Sequence, residues 1–293
     1  MVPGEPDLRI SEEEFRLIRD LIHDYCGLFY TADTGMLLVN RLAKRLVHHG
    51  LRDFRDYYRF LRYGRQRDEE LSELMELLTT NETYFFREIF QLRALTDEII
   101  PELLQMRQER HEPKRLRIWS AGCSTGEEPY TVAMLLLETG CCRDWQVEII
   151  GTDISNRVLQ QARRGIYGES AFRATETYFR QTYFRRGEEG FRIIDRVRDL
   201  VTFSHLNLLD EARLALMGRM DVVLCRNVII YFDREARIRV AEAFSRTLRG
   251  GGYLLLGHAD SFMNITTAFV LRHLANDMVY QKPQGGMDES WAK

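Results

Sequence analysis

Residues 116–130 read LRIWSAGCSTGEEPY, and this stretch decides the fold of the chain. It starts with a short apolar run, which indicates a buried strand. Small residues at 120–126 then form a loop, and a helical pattern of apolar residues follows. Because proline favours the first position of a helix, we expect Pro129 to open that helix, with Glu128 at the N-cap.

A strand, a glycine-containing turn and a helix form the unit in which parallel sheets offer backbone N–H groups to nucleotide-like ligands. The loop lacks the Gly-Lys-Ser/Thr of a P-loop, and Gly122 and Gly126 do not have the G-x-G-x-x-G spacing of dinucleotide sites. Glu127 and Glu128 would repel a pyrophosphate. They suit a ligand that carries positive charge and hydroxyl groups, such as S-adenosylmethionine. A plain strand-to-helix turn is the alternative interpretation.

The composition indicates a globular protein with room for two domains, since 45% of the 293 residues are hydrophobic and 29% are charged. The net charge of −3 gives no general attraction for nucleic acid. The N-terminus is acidic without an apolar core, and no apolar run is long enough to span a bilayer. We therefore expect neither a signal peptide nor membrane insertion. The five cysteines lack metal-ligand spacing, which favours a reduced, cytoplasmic protein.

Residues 1–78 show helical patterns and are predicted to form an all-α domain. Ser11 and Glu14 have the spacing of a capping box at the start of the first helix. Further helices are predicted at 35–49, 54–63 and 69–78.

Basic residues are concentrated within this domain. Between Arg41 and Arg67 the chain has nine Lys or Arg residues and only two acidic ones. We interpret them either as solvated helix faces or as a docking surface for an acidic partner.

Residues 79–88, TTNETYFFRE, link the helical domain to the rest of the chain. Asn81, Thr83 and Arg87 are polar groups able to bind a ligand, and three consecutive aromatic residues lie among them. The alternative is an interdomain linker whose aromatic side chains fill a core. A further helix is predicted at 89–107.

Strands and helices alternate after the linker, which predicts an α/β fold with a mostly parallel sheet. The second strand, 146–151, is followed by Asp153. This carboxylate is placed either to accept hydrogen bonds from ribose hydroxyls or to cap the next helix, 155–163. Another buried strand is predicted at 220–225.

Three later segments depart from this alternation. Residues 165–204 are rich in Tyr and Arg and are predicted to form a small inserted β-subdomain, in which 200–204 is one of the extended pieces. The glycines at 250–252 are expected to form a tight turn into a core strand. An antiparallel hairpin is predicted within 269–281, and 284–293 is expected to be a disordered tail.

Six segments of the chain resemble those of one family, the chemoreceptor glutamate methyltransferases called CheR. They are NETYFFRE (81–88), RIWSAGCSTGEEPYTVAM (117–134), GTDIS (151–155), HLNLL (205–209), CRNVIIYF (225–232) and GHAD (257–260). They occur in the family's order, and the resemblance covers residues from about 10 to 282. It implies a class I, Rossmann-like S-adenosylmethionine-dependent methyltransferase domain at 89–283 that contains the inserted β-subdomain, preceded by the all-α domain.

The resemblance also implies roles for single residues. Those expected to line the S-adenosylmethionine pocket are Asn81, Thr83, Arg87, Glu128, Asp153, Arg186, Asn207, Leu208, Arg226 and Asn227. Arg87 and Tyr231 would lie nearest the transferred methyl group, as the catalytic residues. The linker 79–88 would contribute to the cofactor site. The basic surface between Arg41 and Arg67 would dock the cytoplasmic domains of chemoreceptors.

The implied reaction transfers a methyl group from S-adenosylmethionine to glutamate side chains of these receptors, in sensory adaptation, and leaves S-adenosylhomocysteine. A glutamate with a pKa of about 4.3 is already ionised at neutral pH, so the reaction requires no general base. It requires an in-line approach and the exclusion of water. We expect Tyr231 to orient the carboxylate through a hydrogen bond, while Arg87 positions both the carboxylate and the cofactor.

Two other functions fit the sequence less well. Nucleic-acid amino-methyltransferases usually carry Asp/Asn-Pro-Pro-Tyr/Phe after the fourth strand, where this chain has Cys-Arg-Asn-Val at 225–228. Cys225 also lacks the preceding proline of the cytosine C5 enzymes. The other alternative is a non-enzymatic module that binds S-adenosylmethionine. Such a module would not need all the polar residues expected of an active enzyme, and this chain has them. His205 and His258 lie in matching segments without an assigned role.

Overall fold

The computed structural model describes residues 9–285. The predicted tail at 284–293 lies outside the described residues from position 286 onward, as do the first eight residues of the helical domain. Every helix among the described residues is too short or too polar to cross a bilayer.

The chain begins with an all-α bundle. Its helices are α1 (Glu12–Cys26), α2 (Ala32–His48), α3 (Phe54–Tyr63) and α4 (Arg67–Leu78). The predicted capping box is confirmed, because the Ser11 hydroxyl accepts from the Glu14 N–H and the Glu14 carboxylate accepts from the Ser11 N–H. Gly27 ends α1 with a φ of 80°. Helix α2 starts at Ala32 rather than at residue 35.

The core of the bundle contains one carboxylate among apolar side chains. Glu70 is 2% exposed and accepts hydrogen bonds from Arg45 and from the Tyr57 hydroxyl, the latter at 2.6 Å. The Nε2 atom of His49 also lies 2.6 Å from this carboxylate. These partners offset the cost of burying the charge. Arg45 is therefore a partly buried ion-pair partner of Glu70 and does not belong to the predicted basic docking surface.

A long helical segment connects the bundle to the sheet. It consists of α5 (Ile89–Arg93), a π-helical stretch (Ala94–Ile99) and α6 (Ile100–Glu109). The Ile100 N–H donates to the Leu95 carbonyl, one residue further back than in an α-helix. The helix predicted at 89–107 is confirmed as a segment that ends two residues later.

Seven strands form the main sheet. The strands of the described chain are β1 (Arg115–Ala121), β2 (Gln146–Asp153), β3 (Ile166–Tyr167), β4 (Phe184–Gly187), β5 (Gly190–Ile193), β6 (Val201–His205), β7 (Met220–Cys225), β8 (Leu248–Leu256), β9 (Val270–His273) and β10 (Met278–Gln281). The order in the sheet is β6-β2-β1-β7-β8-β10-β9. The first five are parallel, and β10 and β9 add an antiparallel hairpin. The predicted parallel sheet and hairpin are confirmed.

Helices connect the strands, and most of them pack on the main sheet. They are α7 (Glu127–Thr139), α8 (Asn156–Arg164), α9 (Thr177–Tyr183), α10 (Asp195–Arg198), α11 (Glu211–Leu216) and α12 (Arg234–Thr247). Alternate residues of β1 bury their side chains in two different cores: Trp119 packs against Phe244 of α12, whereas Ile118 packs in the core that contains Tyr130 of α7. This alternation fixes which side of the sheet each helix covers.

The predicted inserted β-subdomain differs from the structure at its end. Strands β3, β5 and β4 do form a separate antiparallel sheet. The piece predicted at 200–204, however, is β6, which pairs in parallel with β2 from Val201 to His205 and is the edge strand of the main sheet. An edge strand exposes one face, so its polar alternation resembles that of a strand in a small subdomain.

The glycines at 250–252 do not form a turn before a strand. They lie inside β8, which starts directly after α12. The register between β7 and β8 shifts between Met220 and Val222, and Gly251 has a φ of 81°. These glycines therefore form a β-bulge, a feature that requires a residue able to adopt a positive φ.

Candidate active site

A cavity of about 300 Å³ lies at the carboxyl ends of β1, β2 and β7, the edge at which parallel sheets bind their ligands. The linker 79–88 and part of the helical domain close its other side. The predicted site residues that line it are Asn81, Thr83, Arg87, Glu128, Asp153, Asn207, Leu208, Arg226, Asn227 and Tyr231. The folding of the chain thus brings together residues that are far apart in sequence.

Arg186 is the predicted site residue that does not line this cavity. It lies on β4 of the small sheet and is exposed, with its guanidinium carbon 6.0 Å from the centroid of the Phe191 ring. The pairing of β4 with β5 holds it there, so the structure does not support its predicted place in the pocket.

The turn after β1 follows a path that only small residues permit. Gly122 has a φ of 81°, and a Cβ atom on it would lie 2.4 Å from Cγ2 of Val228. Gly126, with a φ of 92°, is the N-cap of α7, so the helix starts at Glu127. The prediction that Pro129 opens the helix with Glu128 at the N-cap is therefore wrong, because the two glutamates occupy the first turn, where carboxylates are favoured by the helix dipole.

Asp153 joins the turn after β1 to the end of β2. Its Oδ2 accepts from the Ser124 N–H at 2.8 Å, and its Oδ1 accepts from the Ser155 N–H at 2.9 Å. Burial raises the pKa of the Asp153 carboxyl to about 6, although these two N–H groups stabilise the charged form. Ser155 is the N-cap of α8, since its hydroxyl accepts from the Val158 N–H. The alternative that Asp153 caps this helix is therefore wrong.

A buried arginine lies between two carboxylates at the floor of the cavity. Nη1 of Arg226 donates to Glu128 at 2.9 Å, and its Nη2 donates to Glu88 at 3.2 Å and to the Arg87 carbonyl. Although burial alone would raise it, the pKa of the Glu88 carboxyl is lowered, because the Arg226 charge and the Asn227 amide stabilise the ionised form. Glu128 also accepts from the Ser120 hydroxyl at 2.7 Å.

One carboxylate of the cavity lining has no cationic partner. Three arginines, Arg41, Arg87 and Arg226, line the cavity together with three carboxylates, those of Glu82, Glu128 and Asp153. Arg226 is paired with Glu128 and with Glu88, which is not a lining residue, whereas Asp153 accepts only from backbone N–H groups and has no cationic partner among the described side chains.

Asn227 and Tyr231 lie on the loop after β7. Asn227 has a φ of 60°, its N–H donates to Asp260, and its side-chain amide donates to Glu88 at 3.2 Å. Tyr231 ends a short 3₁₀-helix (Ile229–Tyr231) and is 41% exposed. Among the described residues, the Tyr231 hydroxyl has no hydrogen-bond partner. It is therefore available to a ligand.

Arg87 and Asn207 are held by the backbone around them. Nη1 of Arg87 donates to the Glu82 carbonyl at 2.8 Å, and its guanidinium carbon lies 5.8 Å from the Tyr84 ring centroid. The Asn207 amide donates to the Tyr25 carbonyl and accepts from the Leu209 N–H at 3.0 Å. Asn207 thus fixes the loop after β6 against the end of α1.

Backbone strain is concentrated around the cavity. Phe86, Glu88, Ser124 and Asn227 all have a positive φ between 49° and 63°, and they belong to the three segments that form the floor and the wall. Residues in this conformation cost free energy and persist where the surrounding contacts hold them, often at functional sites.

Several residues of the cavity wall were not predicted from the sequence. Phe29 and Tyr30 reach it from the turn after α1, and Arg41 reaches it from α2. Burial raises the pKa of Tyr30 to about 12, and Arg41 donates to the Leu78 carbonyl at 2.9 Å. Arg41 was predicted to belong to the docking surface, and the structure places it in the cavity wall instead. Glu88 does not line the cavity but pairs with Arg226, and because it lies in the NETYFFRE segment, a sequence signal for it existed.

The two unassigned histidines lie outside the cavity lining. His205 has its Nε2 2.9 Å from the Ile154 carbonyl, and burial lowers its pKa. His258 lies 3.1 Å from Asp277. Within residues 9–285 no group of His, Cys, Asp or Glu is arranged to hold a metal ion, and the five cysteines are free thiols.

Comparisons with known proteins match both parts of the chain. A protein-family profile described as "CheR methyltransferase, SAM binding domain" matches residues 81–277, and another, "CheR methyltransferase, all-alpha domain", matches residues 13–79. Chemotaxis protein methyltransferase 2 of Vibrio cholerae is 34% identical over 291 residues, which cover 97% of each chain. The chemotaxis protein methyltransferase of Borreliella burgdorferi is 34% identical over 87% of this chain and 90% of its own. That of Escherichia coli (strain K12) is 34% identical over 90% of each chain.

Proposed function

This chain belongs to the CheR family of S-adenosylmethionine-dependent chemotaxis methyltransferases, and from this membership we propose that it methylates glutamate side chains of chemoreceptor cytoplasmic helices. The products are glutamate methyl esters and S-adenosylhomocysteine, and the reaction takes place in the cytoplasm as part of sensory adaptation.

The residues of the cavity fit the family's cofactor. Asp153 lies at the tip of β2, where a carboxylate accepts hydrogen bonds from ribose hydroxyls. The Asp153 carboxylate, which has no cationic partner among the described side chains, suits a cofactor that carries positive charge. When bound, S-adenosylmethionine supplies an electrophilic methyl group on its positively charged sulfur. In the proposal, the wall of this pocket is completed by Asn81, Thr83, Glu128, Asn207, Leu208, Arg226 and Asn227.

A carboxylate acceptor is consistent with the chemistry of the cavity. An ionised glutamate is already a nucleophile, so the protein needs to orient it and exclude water rather than remove a proton. A strong ion pair would stabilise the ground state more than the transition state, in which both charges are partly lost. The pairing of Arg226 with Glu88 and Glu128 reduces its attraction for the incoming carboxylate.

One observation carries this proposal: Arg87 and Tyr231 face the same cavity as Asp153 and Glu128, and the Tyr231 hydroxyl has no partner among the described residues. In this role Tyr231 donates a hydrogen bond to the substrate carboxylate. Arg87, held by the Glu82 carbonyl, positions the carboxylate against the cofactor.

The exposed part of the basic segment is the proposed docking surface for the receptor. Arg41 and Arg45 are excluded from it by their contacts in the cavity wall and with Glu70. The basic residues that remain exposed are Lys44, Arg52, Arg55, Arg59, Arg62, Arg65 and Arg67. They lie on α2, on α3, in the loops next to these helices and at the start of α4, and their positive charge suits receptor helices rich in glutamate.

Labelled methyl transfer tests the proposed function. The protein is incubated with methyl-labelled S-adenosylmethionine and a receptor cytoplasmic fragment, and a fragment with its acceptor glutamates replaced by glutamine is the control. We expect label in the first fragment alone, and we expect mild base to release it, as it does from a carboxyl ester. Label that resists base would indicate another acceptor. Absence of label despite measured cofactor binding would indicate a non-enzymatic binding module.

A further inference from the structure

The helical domain contacts the loop that carries Tyr231. The Phe29 N–H, in the turn after α1, donates to the Tyr231 carbonyl at 3.1 Å. The neighbouring residues Leu28 and Phe232 form an isolated antiparallel bridge. The hydrogen bond is part of this bridge, so one strand-like contact joins the turn after α1 to the end of the loop that follows β7.

The end of α1 contacts the start of α12 beside this bridge. Nε2 of His23 lies 3.1 Å from Oδ1 of Asp233, and the same carboxylate oxygen caps α12 by accepting from the Ala236 N–H at 2.9 Å. Gly27 packs close to α12 as well, since a Cβ atom on it would lie 3.1 Å from Cβ of Ala236. We call residues 23–29, which make these contacts, the clamp.

The backbone of Tyr231 has few other restraints. It ends a 3₁₀-helix of three residues, and its own N–H donates to the Val228 carbonyl at a long 3.3 Å. Its side chain is 41% exposed. A misplacement of a reactive group by about 1 Å can reduce a rate by about two orders of magnitude. We therefore expect the contact that fixes the Tyr231 backbone to affect kcat.

We propose that the clamp is a positioning element for Tyr231, so that the helical domain contributes to methyl transfer in addition to docking a partner. This inference rests on the proposed role of Tyr231 in the reaction. Phe29 acts through its backbone N–H, and His23 acts through its contact with Asp233 at the start of α12.

A pair of variants at Phe29 isolates the backbone contact. Phe29→Ala removes the side chain and keeps the N–H, whereas Phe29→Pro removes both. Leu28 is extended in its bridge, a conformation that a following proline accepts. We expect kcat of Phe29→Pro to lie about tenfold below that of Phe29→Ala, while their dissociation constants for S-adenosylhomocysteine agree within about twofold. Equal kcat values for the two variants would contradict the proposal.

A second pair avoids substitution in the cavity. His23→Ala removes the contact with Asp233, and His23→Gln keeps a polar group of similar reach. We expect kcat of His23→Ala to fall severalfold while KM for S-adenosylmethionine is unchanged. In His23→Gln, kcat should return to the value of the unsubstituted protein. Equal losses in both variants, or a loss confined to KM, would contradict the proposal. This pair also gives an answer if Phe29→Pro fails to fold.

A spectroscopic readout separates the clamp from the catalytic role of Tyr231. 3-Fluorotyrosine is placed at position 231 alone, and its ¹⁹F signal is recorded in each variant. We expect Phe29→Pro and His23→Ala to shift or broaden the signal, and the signal in His23→Gln to match that of the unsubstituted clamp. If Tyr231→Phe leaves kcat unchanged, the catalytic role fails, whereas this signal still tests the positioning. An identical signal in every variant would overturn the inference.

Discussion

The Asp153 carboxylate accepts a hydrogen bond from the Ser124 N–H at 2.8 Å, so the end of β2 holds the turn that follows β1. Ser124 has a φ of 49°, and this contact helps to keep it in that conformation. A residue expected to bind the cofactor therefore also shapes the loop against which the cofactor would lie.

The first prediction concerns cofactor affinity. Asp153→Ala removes a ribose-binding carboxylate and should weaken the binding of S-adenosylhomocysteine by one or two charge-assisted hydrogen bonds, each about 1.5–3 kcal/mol. Isothermal titration calorimetry measures the change, and Asp144→Ala, at an exposed position away from the cavity, is the control. Unchanged affinity in Asp153→Ala would restrict Asp153 to shaping the turn.

The second prediction follows from the pKa of Asp153, which burial raises to about 6. Below that pH the carboxyl is protonated and no longer offers a charged acceptor to the ribose. We expect cofactor affinity to fall by up to about tenfold between pH 7 and pH 5, since one unit below the pKa about a tenth of the groups remain ionised. The sign is opposite for folding: because burial raises the folded-state pKa of Asp153, the free energy of unfolding decreases as the pH rises from about 4 to about 6, and this loss is complete above pH 6.

Asp153→Asn is the matched variant for this pH dependence, because it keeps the shape of the side chain without a titrating group. Its affinity should be weaker at pH 7 and should change less between pH 5 and pH 7. Asp260, whose pKa burial also raises to about 6, lies next to Asn227 and is the competing source. A full pH dependence that persists in Asp153→Asn and disappears in Asp260→Asn would assign the effect to Asp260.

The third prediction concerns the glycine turn. Gly122→Ala would place a Cβ atom 2.4 Å from Cγ2 of Val228 and would also strain a backbone with a φ of 81°. We expect a lower midpoint of thermal unfolding and weaker cofactor binding. Adding Val228→Ala should recover part of the loss, because it removes the clash and leaves the strain. A double variant no better than Gly122→Ala would show that backbone strain alone accounts for the effect.

The sequence predicted the elements whose signals are local. The stretch from β1 to α7, the acid at the tip of β2 and the hairpin of β9 and β10 follow from apolar periodicity and from turn residues. The prediction placed the start of α7 at Pro129, because proline favours the first position of a helix. The helix instead starts at Glu127, since Gly126 ends the loop with a positive φ, and a backbone angle cannot be read from the sequence. The allocation of β6 to the small sheet failed because strand pairing is a long-range property.

Only the site residues that lie in the matching segments could be predicted from the sequence. Ten residues of the cavity lining were named from matching segments, whereas Phe29, Tyr30 and Arg41 arrive there through the packing of two domains. In the sequence, Arg41 is one of nine basic residues in a run and looks like a surface charge. Its burial becomes visible only when α2 is packed against α4 and the linker.

The fourth prediction concerns docking. Arg59→Glu combined with Arg62→Glu reverses two exposed charges on α3 and should raise KM for a receptor fragment by about three- to tenfold at low salt, with unchanged cofactor affinity. The difference from the unsubstituted protein should shrink as ionic strength rises. Arg93→Glu with Arg143→Glu makes the same change of charge on the exposed surface of the other domain. An equal rise of KM in this control would point to a general effect of net charge.

The last prediction tests the reaction itself. Tyr231→Phe removes one hydroxyl that has no hydrogen-bond partner among the described residues, so the fold should be unaffected. If the hydroxyl orients the substrate carboxylate, kcat should fall by about 10- to 100-fold, as expected for a lost hydrogen bond to a charged group of about 1.5–3 kcal/mol. The affinity for S-adenosylhomocysteine should stay the same, because the product lacks the carboxylate of the substrate glutamate. Tyr178→Phe, at an exposed tyrosine whose hydroxyl contacts Glu138, is the matched control and should keep full activity. A tenfold loss of cofactor affinity in Tyr231→Phe would instead make this residue part of the cofactor site and leave Arg87 as the group that orients the acceptor.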